Sequence, residues 1–193
     1  TAFNYLEELS LSWLVEMFEL PKNMAGVYSS GGSTANIIGL GGARQVAFER
    51  LGIDPAVDGV QLPCRIYASA DCHRTIHRAA AVLGLGRASV VAIDVDSSGR
   101  IKPEALSKLL LDHANDDSVP VAIVANAGST DTGAIDPLEE IGEIARQYKI
   151  WFHVDGAYGL PGILDPKCKP LYGGLKYANS VCVDPHKWLS AQV

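Results

Sequence analysis

The feature that most constrains this chain is a set of short, unbroken apolar runs at residues 65–69, 90–93, 121–125, 151–154 and 180–183. A strand with one wet face alternates apolar and polar residues, whereas a strand buried on both faces reads as a continuous run. Segments of helical periodicity separate the runs. Strand and helix in alternation predict an α/β fold, a mostly parallel sheet flanked by helices. Before the first run, a helix is expected over residues 5–18, where Leu6, Leu9, Trp13 and Met17 form one apolar stripe and Pro21 ends it. A second helix is expected to start at Ser33 or Thr34 as N-cap and to reach about Leu51. Further helices are expected over residues 73–83, closed by Gly84, over 103–114, opened by Pro103, and over 137–148.

The chain has 193 residues, enough for one domain with a real core, and no repeat or low-complexity tract divides it. A formal net charge of −6, with no lysine or arginine run, argues against nucleic acid or an anionic membrane as the main partner. No apolar run approaches the roughly 20 residues of a membrane span, and the first residues have no basic segment of a signal peptide. Cys64, Cys72, Cys168 and Cys182 form no CxxC pair and read as buried, reduced thiols, which points to a cytoplasmic setting. The chain starts without a methionine, inside a predicted helix, and stops six residues after Lys187. It therefore reads as a piece of a larger protein.

Five loops that follow strands or open helices carry residues with chemical potential. Lys187 sits in Asp184-Pro185-His186-Lys187-Trp188, just past an apolar run. Partial desolvation there would make its amine a better nucleophile. Asp155 ends the run 151–154 and is followed by Gly156 and Ala157, which leave room for a flat ring. In open α/β sheets, ligands bind outside the carboxyl ends of the strands. Gly31-Gly32-Ser33-Thr34 opens a helix and could cradle a phosphate with backbone N–H groups, although it matches neither a Walker motif nor GxGxxG. His73 starts a helix after a strand, where its ring could lie against an aromatic group. With His77 it has the spacing of a metal pair, but no third ligand follows, so no metal site is expected. Thr130, in Gly128-Ser129-Thr130-Asp131-Thr132-Gly133, brings hydroxyls to the same edge. Each motif alone has a bland alternative as a cap, a turn or a surface residue. Together, amine, carboxylate, phosphate cradle, ring and hydroxyl are the parts that a pyridoxal phosphate site needs.

At these residues the chain resembles the group II pyridoxal-phosphate-dependent amino acid decarboxylases, the family of the aromatic L-amino acid, histidine and glutamate decarboxylases. His153-Val154-Asp155-Gly156-Ala157-Tyr158 and Pro185-His186-Lys187-Trp188, in that order and about thirty residues apart, carry the resemblance most specifically. It covers nearly the whole chain. It implies the large domain of a fold-type I pyridoxal phosphate enzyme, incomplete over residues 1–193 and without the C-terminal small domain, in a homodimeric parent. It also implies roles: Lys187 as the Schiff-base lysine, Asp155 on the pyridine nitrogen, and Ala157 beneath the ring. His73 would stack on the other face, Gly32 and Ser33 would hold the phosphate, Thr130 would lie near the ring substituents, and His186 would assist at the phosphate or substrate. Asp184 stands where some members have Asn, Gly156 where Ala is common, and Thr34 where Glu often occurs.

The implied reaction is loss of CO2 from an L-amino acid to leave an amine, with the cofactor as electron sink. The alternatives are another fold-type I enzyme, a carbon–carbon lyase or a cysteine desulfurase, or a truncated fragment without activity. The identity of the amino acid is not written in these residues.

Overall fold

The computed structural model describes residues 1–191. Five strands, β1 (Cys64–Ser69), β2 (Val90–Ile93), β3 (Val119–Asn126), β4 (Trp151–Asp155) and β5 (Ser180–Cys182), form one sheet in the order β2-β1-β3-β4-β5. Every pairing is parallel. The helices are α1 (Ala2–Met17), α2 (Gly32–Glu49), α3 (Arg74–Val82), α4 (Pro103–Asp112) and α5 (Leu138–Tyr148). The α/β architecture expected from the unbroken runs is what forms.

The continuous runs are divided between two cores by the two-residue period of a strand. In β3, Ile123 and Ala125 enter the core shared with Leu106 and Leu110 of α4 and Ile141 and Ala145 of α5. Ala122 and Val124 enter the other, with Leu40, Ala43 and Phe48 of α2 and Ile76 and Ala79 of α3. Tyr67 faces the first core, and Ile66 and Ala68 the second. In β4, Phe152 and Val154 join the α4–α5 side, which leaves Trp151, His153 and Asp155 on the α2 side.

The differences from expectation lie at element ends and in one connection. α2 begins at Gly32 with Gly31 as N-cap (φ 108°), rather than at Ser33 or Thr34. His73 is the N-cap of α3 and not its first residue; its Nδ1 accepts the Thr75 N–H. No residue of α1 is buried, so the stripe of Leu6, Trp13 and Met17 faces outward, and Phe18 just beyond the helix is what enters the core. Cys72 and Cys168 are only half-buried, whereas Cys64 and Cys182 are buried; all four are free thiols. Between β4 and β5, two 3-10 helices, Leu160–Leu164 and Lys169–Tyr177, occupy a stretch with no regular helical period. The second packs under α5 through close backbone approach, a Cβ on Gly174 standing 2.0 Å from the Leu138 carbonyl carbon, and the first packs against the second.

Gly174→Ala is therefore expected to lower unfolding free energy by about 3 kcal/mol through overpacking against backbone. Gly173→Ala, whose Cβ would meet only the movable Glu139 carboxylate at 3.2 Å, is expected to stay within about 1 kcal/mol of the parent. Urea midpoints of the pair check this.

Candidate active site

A parallel sheet delivers all of its strand-to-helix loops to one edge, and here those loops enclose a cavity of about 710 Å³. Gly32, Ser33, Asn36, Asp71, His73, Thr75, Asn126, Thr130, Asp155, Ala157, Asp184 and Lys187 are among its lining residues. Of the eight residues to which the resemblance gives a role, seven line the cavity and His186 does not: its Nε2 lies 3.9 Å from Asp184 Oδ2 and the residue is exposed. Lys187 also departs from expectation. Its side chain is one-third exposed, and its Nζ is ion-paired with buried Asp184 Oδ2 at 2.7 Å rather than set among apolar neighbours. Trp188 is exposed and packs edge-on against Tyr158, ring centroids 5.8 Å apart.

Asp155 is buried at the C-terminal end of β4. Its Oδ1 accepts the Ala157 N–H at 3.2 Å and its Oδ2 accepts from Asn36 Nδ2 at 2.9 Å. The same Asn36 amide donates to Thr75 Oγ1 at 3.1 Å, and Thr75 Oγ1 lies 3.0 Å from His73 Nδ1. Behind Asp155, His153 is enclosed, and burial pushes its imidazole down to about 4, outweighing the attraction of Asp155. It is thus a neutral hydrogen-bonding group.

The anion-receptive end of the cavity is the start of α2. No side chain caps this 18-residue helix, and its first two residues, Gly32 and Ser33, line the cavity. Gly32 is tightly placed: a Cβ there would lie 3.0 Å from Asp184 Oδ2 and 3.4 Å from Ala157 Cβ. Behind the wall residue Asn126, buried Asp136 accepts the backbone N–H groups of Ile101 (2.7 Å) and Asn126 (2.6 Å), and so pins the end of β3. Its burial pushes the carboxyl up to about 6 in spite of those two donors. Gly128 (φ 92°) lets the loop after β3 touch the loop after β4; a Cβ there would stand 2.6 Å from Gly159 Cα.

Asn36, Thr75, Asn126, Asp136 and Ser180 were not visible as site residues from sequence. Asn36 had the only hint, a primary amide between Ala35 and Ile37 on a helix face that is otherwise apolar.

Comparison with known proteins places this geometry. The profile of the pyridoxal-dependent decarboxylase conserved domain matches residues 1–193, and the chain belongs to that family. The L-2,4-diaminobutyrate decarboxylase of Rhizobium meliloti is 40% identical over 95% of this chain and 35% of its own length. The aromatic-L-amino-acid decarboxylase of Bacillus atrophaeus is 35% identical over 95% of this chain and 36% of its own. The crystal structure of a glutamate decarboxylase domain from a Vibrio parahaemolyticus diaminobutyrate-pyruvate transaminase and L-2,4-diaminobutyrate decarboxylase superposes with a TM-score of 0.92 at 31% identity, covering 98% of this chain and 42% of that one. The chain spans roughly a third of the length of these curated relatives. The fold is that of the fold-type I pyridoxal phosphate enzymes, and pyridoxal phosphate is the family's cofactor. The residues present fit such a group: one amine, one buried carboxylate held by two donors, and a helix start without a side-chain cap, opened by a closely packed glycine.

Neutral His153 makes the fold sensitive to acid. An imidazole depressed in the folded state binds fewer protons there than in the unfolded chain. The stability tied to its neutrality is therefore present above about pH 6.5 and is lost as pH falls toward about 4. Each pH unit within that window removes about 1.4 kcal/mol. Urea unfolding between about pH 7.5 and about pH 5 is expected to show this loss, and His153→Gln is expected to flatten the slope. An unchanged slope in the variant would assign the loss to other groups.

Proposed function

We propose that this chain carries the cofactor half of an enzyme that removes the carboxylate of an L-amino acid as CO2 and leaves an amine. The observation that carries the proposal is that Lys187 and Asp155, from the ends of two neighbouring strands, line one cavity together with the start of α2. When bound, pyridoxal phosphate supplies an aldehyde for an amine to condense with and a ring that withdraws electrons from the amino acid's α-carbon.

The chain's own residues would act as follows. Lys187 supplies the amine that holds the cofactor covalently. Asp155, oriented by Asn36 and the Ala157 N–H, would face the ring nitrogen and keep a proton there. Ala157 and His73 would confine the ring between them. Gly32 and Ser33 would receive the phosphate at the start of α2, where backbone N–H groups and the helix dipole favour a dianion. Thr130 would lie beside the ring substituents, in a loop stiffened by the Ser129 Oγ to Thr132 Oγ1 hydrogen bond of 2.7 Å. Asp184 would hold Lys187 in position until the cofactor arrives.

The substrate is an L-amino acid whose side chain we leave open, since the two curated relatives are named for different amino acids. Selection of that side chain we assign partly to a smaller C-terminal domain and partly to the second subunit of a homodimer. The outward-facing Phe3, Tyr5, Leu6, Trp13 and Met17 of α1 support an interface there. Four free cysteines agree with a reducing, cytoplasmic setting.

Borohydride reduction of the cofactor-loaded full-length enzyme is expected to label Lys187, and Lys187→Ala to abolish the label. Asp155→Asn is expected to lower CO2 release by at least about a hundredfold while the label persists. A label on another lysine, or aldehyde or sulfide in place of CO2 and amine, would overturn the proposal.

A further inference from the structure

A polar seam is built between α2 and the β4 face that it covers. Trp151, His153 and Asp155 alternate along β4 and share that face, and Ser180 lies beside His153 in the register of β5. α2 is notched to admit them. A Cβ on Gly39 would stand 2.8 Å from His153 Cε1 and 3.1 Å from Ser180 Oγ, and one on Gly42 would touch the Trp151 ring at 3.6 Å. Asn36, one turn before Gly39, is 1% exposed and faces the same seam.

The direction of every hydrogen bond in the seam follows from its two ends. An indole N–H can only donate, and a carboxylate accepts. Trp151 Nε1 donates to Ser180 Oγ at 2.8 Å, so the Ser180 hydroxyl proton is free for His153 Nδ1 at 2.7 Å. Neutral His153 then carries its proton on Nε2 and donates it to Asn36 Oδ1 at 2.8 Å. That leaves the Asn36 amide hydrogens for Asp155 Oδ2 and Thr75 Oγ1. A flipped amide would set an oxygen against the Asp155 carboxylate, so both of its neighbours enforce one orientation. Thr75, having accepted from Asn36, passes its hydroxyl proton to His73 Nδ1, which also accepts the Thr75 backbone N–H at 3.3 Å. A neutral His73 ring therefore keeps its proton on Nε2.

We propose that Asn36 is the positioning residue of this site, the junction through which a one-way hydrogen-bond chain from Trp151, Ser180 and His153 sets both the Asp155 carboxylate and the His73 ring. The proposal rests on the assignment of those two residues to the cofactor ring. It makes Ser180, which lies outside the cavity lining, a remote determinant of how the cofactor is held.

The test uses the full-length protein and pyridoxal 5′-phosphate, with two readouts: the dissociation constant, and the pH titration of the bound cofactor's absorbance. Asn36→Ala is expected to weaken binding about tenfold, the loss of one hydrogen bond to a charged group. It is also expected to displace the absorbance titration in the direction of Asp155→Asn. Ser180→Ala is expected to move both in the same direction by about threefold in affinity, and the double variant to be no weaker than Asn36→Ala alone. Parent-like titrations in the single variants, or losses that multiply in the double variant, would overturn the proposal. If Asn36→Ala does not fold, Ser180→Ala decides: a displaced titration supports the chain, and a parental one overturns it. Borohydride labelling in the same samples separates the two levels. A label on Lys187 with parental titrations refutes the role of Asn36 alone, whereas a label elsewhere refutes the cofactor assignment beneath it.

Discussion

The structure depends on the covering of a parallel sheet on both faces. Parallel strands cannot be joined by tight turns, so each connection crosses a face and each strand's C-terminal end opens into a loop at one edge. Four of these loops, after β1, β3, β4 and β5, meet the start of α2 around a single cavity. The apolar demand that drives burial and the gathering of polar residues at one edge are thus a single constraint. Ile123 and Ala125 on one side of β3, with Ala122 and Val124 on the other, hold the plane. Asn126 at its end is already part of the cavity wall.

Burial of polar groups beneath that edge is compensated group by group. Asp155 and Asn36 are buried and paired, His153 is buried and neutral, and Asp136 is buried against two backbone donors. A buried group that lost its partner would cost about as much as a lost core side chain, because water cannot replace the missing bond. Such groups also restrict the cavity to one arrangement of donors and acceptors, which a purely apolar interior would not do.

Much of the site was legible in the sequence because its residues lie in local contexts with few solutions. Asp155 follows a buried run and precedes two small residues, so its place at a strand end needed only the strand. Gly32 and Ser33 open a helix, and the structure moved its N-cap by two or three residues, to Gly31. The positions that went astray depend on side-chain directions and contacts that spacing along the chain does not encode. Lys187 has apolar sequence neighbours, but its partner in space is Asp184. His186 adjoins the lysine in sequence but not in the cavity lining. The stripe on α1 has core-like spacing, but no described residue buries it.

The sequence by itself determined the layered α/β class and the order of the elements, and it singled out Lys187 and Asp155, which the fold brings to one cavity. Each of these is set by side-chain periodicity or by residues within one turn or strand end. Only the tertiary structure decided that Asn36 of α2 meets Asp155 across 119 residues, that His153 is neutral, and that Ser180 feeds the same chain of hydrogen bonds. Hydrogen bonding and desolvation depend on distance in space, and no local pattern encodes which two distant polar groups the packed sheet will bring within 3 Å of each other.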